Sequence, residues 1–175
     1  MIFKVISGGQ TGVDISGLRA AKSLGIETGG WMPRQYMTHD GSHPEYATEY
    51  GVKVFGSYKD RTWMNVKASD ITIRIAKDWN SSGENCTLNA LKHYGKTYWD
   101  VEVANNGDDG QLMFVNCVKN SIDVVSTLIV AAKPYQKITT VNIAGNSEKT
   151  CPGIEEISLV FLTELFKKVL QWDSK

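Results

Sequence analysis

The sequence predicts an α/β fold, a Rossmann-like three-layer domain with a mostly parallel sheet and helices on both faces. Three observations predict it. Short apolar, β-branched runs alternate along the chain with segments of helical periodicity, which implies right-handed βαβ crossovers. The run Ile71–Ala76 is apolar enough for a strand buried on both faces of a parallel sheet. The chain also opens with strand, glycine turn and helix in immediate succession.

Ile2–Ile6 is the first strand and ends in Ser7-Gly8-Gly9. Leu18, Ala21 and Leu24 then fall at helical spacing within Val13–Leu24, and Gly25 stops the run. Gly29–Ser57 reads as irregular, with five glycines and two prolines (Pro33 and Pro44), and Val52–Phe55 is its best strand candidate. Arg61–Ala68 is a short helix, followed by the strand Ile71–Ala76. The polar turn Asn80–Gly83 leads into a helix over Asn85–Tyr94, with Leu88, Leu91 and Tyr94 on one face and Gly95 closing it. Tyr98–Val103 is a strand, Asn105–Gly110 a turn-rich insertion, and Leu112–Val115 an edge strand. Val118, Ile122, Val125, Ile129 and Ala132 mark the clearest amphipathic helix, stopped by Pro134. Ile138–Ala144 is the last strand, and Gly145-Asn146 turns toward a helix over Ile154–Leu170. No repeat, linker or low-complexity tract interrupts this order, so residues 1–175 are expected to form one domain, with 104–118 as a variable insertion.

Composition narrows the function classes. At 175 residues and 19.4 kDa, a chain should bury roughly 70% of its unfolded surface without help from disulfides or metal. Nineteen basic and 19 acidic residues give a formal net charge of +0. A neutral chain exerts no broad pull on phosphate backbones or anionic membranes, which argues against generic nucleic-acid binding. No apolar run approaches the roughly 18 residues of a membrane span, and the N-terminus lacks a secretory signal. Cys86, Cys117 and Cys151 are odd in number and scattered, which suits reduced thiols in a cytoplasmic protein. Near-zero charge also does little to prevent self-association.

In sheets of this kind ligands bind beyond the carboxyl ends of the strands. Three turns there are small and polar: Ser7-Gly8-Gly9-Gln10-Thr11-Gly12, Ser81-Ser82-Gly83 and Gly145-Asn146-Ser147. Glycine lets the backbone approach a ligand, and the following helix N-terminus favours phosphate or another anion. Glycine also marks any tight strand–helix turn, so a purely structural role stands beside the binding one. The first turn lacks the Lys-Ser/Thr of a P-loop and the spacing of the dinucleotide fingerprint. Asp14, in the first turn of the first helix, is either a structural cap or a ligand contact such as an acceptor from a ribose or pterin N–H. Trp31, beside Gly29-Gly30, could line a pocket, whereas Trp63, Trp79 and Trp99 read as core or interface anchors. His39, Asp40 and His43 do not make a metal site, because Gly41 and Pro44 break any helical ligand face and a third ligand is missing. Cys86 has no sequence-adjacent base to activate it.

Several segments together resemble the family called putative molybdenum carrier proteins. They are Ser7-Gly8-Gly9-Gln10-Thr11-Gly12-Val13-Asp14, Thr28-Gly29-Gly30-Trp31, Pro33, Asp40-Gly41, Tyr58, Arg61, Thr62, Asn65-Val66, Ser82-Gly83, Thr87, Asn142-Ile143-Ala144-Gly145, Glu148 and Pro152-Gly153-Ile154. The resemblance runs through nearly the whole chain in order and is weakest over 104–118. It implies membership of a wider Rossmann-like superfamily that includes the lonely-guy phosphoribohydrolases and DNA-processing A-type proteins, whose members bind nucleotides or nucleotide-derived ligands. The carrier relatives imply a phosphorylated pterin, molybdenum cofactor (molybdopterin), as ligand, and a homo-oligomer, dimer or tetramer. The first-turn residues, Ser82, Gly83, Thr87, Gly145, Asn146 and Glu148 are the positions carried over.

Two departures matter. Related chains often read Ser-Gly-Gly-Thr at the second turn, where this one has Ser82-Gly83-Glu84-Asn85, and Glu84 would oppose an anion if it pointed inward. The last motif usually carries an arginine before its glutamate; Ser147 stands there instead, which removes a bidentate phosphate clamp. The leading expectation is a binding or carrier protein for a phosphorylated small molecule, either molybdenum cofactor or a nucleotide. The alternative is a nucleotide-processing enzyme of the N-glycoside or phosphoribo-hydrolase type. Its glutamate after Thr87 is missing here, leaving Asp14, Asp70 and Glu148 as acid–base candidates. An oligomeric scaffold with purely structural glycine turns is the third reading.

Overall fold

The computed structural model describes residues 3–107, 111–115, 118–131 and 139–173. Its elements are β1 (Phe3–Ser7), α1 (Val13–Ser23), β2 (Glu27–Gly29), β3 (Trp31–Met32), β4 (Met37–Thr38), β5 (Gly41–Ser42), α2 (Tyr46–Tyr50), β6 (Lys53–Val54), α3 (Tyr58–Ala68) and β7 (Ile71–Ala76). They continue with α4 (Ser82–Tyr94), β8 (Thr97–Asn105), β9 (Leu112–Phe114), α5 (Val118–Ala131), β10 (Thr139–Gly145) and α6 (Ile154–Asp173).

Six strands form one sheet in the order β2-β1-β10-β7-β8-β9. All neighbours are parallel except the β8–β9 pair, which is antiparallel and places β9 at an edge. The expected α/β architecture is therefore present, with a mostly parallel sheet flanked by helices. Every residue of β7 is buried, Thr72 and Arg74 included, as its four apolar residues predict for a central strand covered on both faces. On one face α1, α5 and α6 pack together over a core that includes Phe3, Val5, Ile143, Phe161 and Phe166. On the other face α3 packs on α4 around Val66, Ala90 and Leu91.

The stretch expected to be irregular carries more structure than its composition suggested. It holds β2, the two-stranded pairings β3–β6 and β4–β5, and the short helix α2. Ile15, Leu18, Met32, Tyr50 and Val52 bury together beneath it. The strand expected at Val52–Phe55 corresponds to β6. The helix expected from Arg61 begins at Tyr58, where Ser57 and Asp60 make a reciprocal capping box. The helix expected from Asn85 begins at Ser82, capped by the Ser81 hydroxyl, which accepts from Glu84 N–H at 3.3 Å. The Leu112–Val115 edge strand corresponds to β9. Within the insertion, 108–110 and 116–117, including Cys117, lie outside the described residues, as does Pro134. No helix among the described residues is long and apolar enough to cross a membrane.

Candidate functional site

The sheet order places the carboxyl ends of β1, β10 and β7 side by side. The connections diverge on either side of these three parallel strands: β1 leads on to β2 at one edge and β7 to β8 toward the other. Such a switch point leaves a crevice between the turns. A cleft of about 500 Å³ opens there. Its walls are the turn after β1, the first turns of α4, the end of β10 with its following turn, and one face of α3.

Two glycines hold the turns together. Gly12 has φ of +86°, and a Cβ there would lie 2.5 Å from the Asn146 carbonyl oxygen. A Cβ on Gly145 would lie 2.1 Å from the Ile75 carbonyl oxygen. The three turns thus touch backbone to backbone, which only glycine permits. Asn146 ties them further: its Oδ1 accepts from Lys77 N–H at 3.0 Å and Asp78 N–H at 2.8 Å, and its Nδ2 donates to the Asp78 carbonyl at 3.0 Å. Asn146 is 2% exposed, so this side chain fixes the turn between β7 and α4 rather than reaching freely into the cleft.

Four amides leading into α1 find acceptors within the protein. Gln10 N–H donates to Asp14 Oδ2 at 3.4 Å, Thr11 N–H to Gln10 Oε1 at 2.9 Å, Gly12 N–H to Glu155 Oε2 at 3.2 Å and Val13 N–H to the Asn146 carbonyl at 3.2 Å. Gln10 Oε1 also accepts from His39 N–H at 2.9 Å, which ties the turn to the segment after β4. The start of α4 differs. Ser82 and Gly83 are exposed and line the cleft, and a Cβ on Gly83 would meet nothing within 4 Å. Helix N-terminal N–H groups that face open space are suited to an anion.

Charged groups are concentrated on the floor and one wall. Asp14 is buried and pairs with Arg61 Nη1 at 3.0 Å. Burial raises its pKa, and Arg61 with the Gln10 and Gly145 N–H groups pulls it back down. Arg61 lies across Gly8, where a Cβ would sit 1.5 Å from Nη1, so the missing side chain makes room for the guanidinium. Glu84, on the inner face of α4, is 2% exposed. Burial pushes its pKa up to about 8 against the pull of Arg74, and Asp14 and Asp100 add to the rise. Arg74 is held by Asp100 through Nε at 2.8 Å and Nη2 at 2.6 Å, and lies against the Trp79 and Tyr98 rings. Lys59 adds a further cation to the lining.

Of the residues singled out in the sequence, Gly8, Gln10, Asp14, Ser82, Gly83, Thr87, Gly145 and Asn146 line this cleft. Ser7 is fully buried and donates to the Ile143 carbonyl at 2.8 Å, and Gly9 packs against Met32. Ser7, Gly9 and Gly12 shape the turns without lining the cleft. Thr11 and Glu148 line a separate hollow of about 330 Å³ with His39, Asp40, Lys149 and Glu155. Glu148 caps the start of α6, accepting from Gly153 N–H and from Glu155 N–H at 3.0 Å. Trp31 lines neither space; its backbone is held by both ends of the Asn65 amide at 3.0 Å.

The residues not anticipated as site groups come mostly from α3. Tyr58, Arg61, Thr62 and Asn65 line the cleft and stand at i, i+3, i+4 and i+7, one face of a helix. That polar periodicity was the available signal. Glu84, read in the sequence only as a departure, also faces inward. Ser147, where the resemblance leads one to expect arginine, turns to its own loop and accepts from Thr150 N–H at 3.2 Å. Lys59 and Arg61 bring positive charge to the cleft from α3 instead.

Comparison with known proteins agrees with this architecture. A crystal structure of a protein called putative molybdenum carrier protein, from Syntrophus aciditrophicus SB, superposes with a TM-score of 0.76 at 28% sequence identity, covering 94% of each chain. No curated protein matches the chain. The family model described as the circularly permutated YpsA SLOG family matches residues 5–166. With that match extending over nearly all of the sheet and its helices, the chain belongs to the circularly permuted YpsA SLOG family.

Proposed function

We propose that this chain binds a phosphorylated small molecule in the cleft at the ends of β1, β10 and β7 and acts as its carrier, with molybdenum cofactor (molybdopterin) as the candidate ligand. The observation that carries the reading is the open start of α4 at Ser82 and Gly83, in a cleft whose other wall supplies Arg61 and Lys59. Helix N–H groups and cations from two directions suit a phosphate, which fixes one end of a ligand. Asn142, Thr87 and Thr150 supply polar contacts for the remainder. A volume of about 500 Å³ accommodates a nucleotide-sized molecule. The name borne by the Syntrophus protein supports the carrier role. A homo-oligomer, dimer or tetramer, would shield such a ligand further.

A second reading has its own observation. Asp14 and Glu84 are buried carboxyl groups in one cleft, and Glu84 holds its proton up to about pH 8. A protonated carboxyl beside a cation-paired one is the provision for general-acid catalysis, as in hydrolysis of an N-glycosidic bond. Native mass spectrometry of gently purified protein, followed by denaturation and analysis of what is released, separates the two. Carriage predicts a multimer that releases a phosphorylated pterin. A released nucleotide, turned over to free base on incubation, would establish the enzyme instead.

A further inference from the structure

Glu84 poses an electrostatic problem that its neighbours do not solve. Asp14 and Glu84 line the cleft with Arg61, and Arg74 stands behind them between Glu84 and Asp100, so two guanidinium groups serve three carboxyl groups. Arg61 is committed to Asp14 at 3.0 Å, and Arg74 to Asp100 through two hydrogen bonds of 2.8 and 2.6 Å. The remaining Arg74 nitrogen, Nη1, lies 3.6 Å from Glu84 Oε2, too far for a hydrogen bond. That nitrogen is directed to the Glu84 carbonyl oxygen at 3.5 Å. Glu84 is 2% exposed, and Oε2 has no hydrogen-bond partner among the described residues. A buried carboxylate that shares its one nearby cation with Asp100 and has no donor at Oε2 is costly, and the group relieves that cost by keeping its proton. An O–H then needs an acceptor, and the open space beside Glu84 is the cleft that it lines.

We propose that Glu84 stands in the cleft as a neutral carboxylic acid and donates its O–H to an oxygen of an anionic ligand seated against the start of α4, so that anion binding is linked to a proton. The proposal rests on the reading that the cleft takes a phosphorylated molecule, and it deepens that reading by naming the group that senses the ligand's charge. It also explains how a glutamate can stand in an anion-binding turn. The ionised form would repel the ligand, and the neutral form binds it. The charged groups facing Glu84 are Arg74 on β7, Asp100 on β8 and Asp14 on α1, with Arg61 of α3 behind Asp14 and the Asn146 amide after β10. Burial and the two acids hold the proton on, and Arg74 opposes them. A bound anion adds a further negative charge and holds the proton more firmly.

The test is a carboxyl carbon NMR titration of the full chain, with the Glu84 signal assigned by its loss in Glu84→Gln, without and with sulfate. Sulfate serves as the oxyanion probe because it does not itself titrate in this range. The expected result is a Glu84 midpoint near 8 that moves upward in sulfate. Sulfate affinity of the native protein should fall about tenfold from about pH 7 to about pH 9, as the protonated fraction falls. Glu84→Gln, which keeps a donor but cannot ionise, should bind sulfate with no such pH dependence. A midpoint in the ordinary carboxylate range, a midpoint that sulfate leaves unmoved or lowers, or the same pH dependence in both proteins would overturn the proposal. Recovery of a phosphorylated ligand from a protein whose Glu84 titrates as an ordinary carboxylate would overturn the Glu84 assignment and leave the carrier reading standing.

Discussion

The starts of α1 and α4 look alike in sequence and differ in what they leave available. Both follow a buried strand, both carry serine and glycine, and both open onto the cleft. At α1 the amides of Gln10, Thr11, Gly12 and Val13 all find acceptors within the protein. At α4 only the Ser81 cap is internal, and Ser82 and Gly83 face the open cleft. A glycine-rich turn therefore has two uses: to let backbones meet, and to let a ligand approach. Gly12 and Gly145 serve the first use, and under the proposed function Gly83 serves the second. The proposed anion site lies at α4 rather than α1 on that ground.

The sharpest way to break this comparison is one substitution made at both turns. Gly12→Ala must place a Cβ 2.5 Å from a carbonyl oxygen at φ of +86°, and should cost about 3 kcal/mol of unfolding free energy in denaturant titration. Gly83→Ala meets nothing within 4 Å and should stay within about 0.5 kcal/mol. Equal losses would mean that both turns are structural.

Next in size is the pH dependence of stability. Glu84 keeps its proton in the folded protein up to about pH 8, while the unfolded chain releases it in the ordinary carboxylate range. Between those values rising pH favours the unfolded chain, so stability should fall by a few kcal/mol from about pH 5 to about pH 8 and then level off. Glu84→Gln should remove most of that slope in thermal melts. A slope unchanged by the substitution would show that Glu84 is ionised in the folded protein.

Asn146→Ala removes both hydrogen bonds into the Lys77–Asp78 turn and the one back to Asp78. A loss of about 2 kcal/mol is expected, with amide exchange rising at Lys77 and Asp78. Protection unchanged at those amides would separate the turn after β10 from the start of α4. The smallest effect belongs to Lys59, a lysine on the α3 wall whose ammonium also lies over the Trp63 ring. Lys59→Ala should weaken phosphate binding about threefold, with stability unchanged, in calorimetric titration.

The parallel core was legible because its signals are periodic and apolar. Ile71–Ala76 and the alternation around it allow little else, and the observed strand has the same bounds. Apart from β6, the segment after β2 was not legible, because β3, β4 and β5 are two residues each, too short for any period to register. Their stability comes from Ile15, Leu18, Met32, Tyr50 and Val52 burying together, which chain order does not reveal. At the site, the glycine turns marked the strand ends that surround the cleft, but not which turn amides are already paired within the protein. Nothing local marks Gly12 N–H as taken by Glu155, 143 residues away. The polar face of α3 was readable in its spacing. The state proposed for Glu84 was not, since it depends on how two arginines from distant elements are already committed.

The central claim is that a phosphate meets the start of α4, and amide NMR with inorganic phosphate tests it most directly. The account predicts the largest shifts at Ser82 and Gly83, with smaller ones at Gln10, Thr11 and Gly12. Shifts concentrated at Gln10, Thr11 and Gly12, or none at either turn, would contradict it.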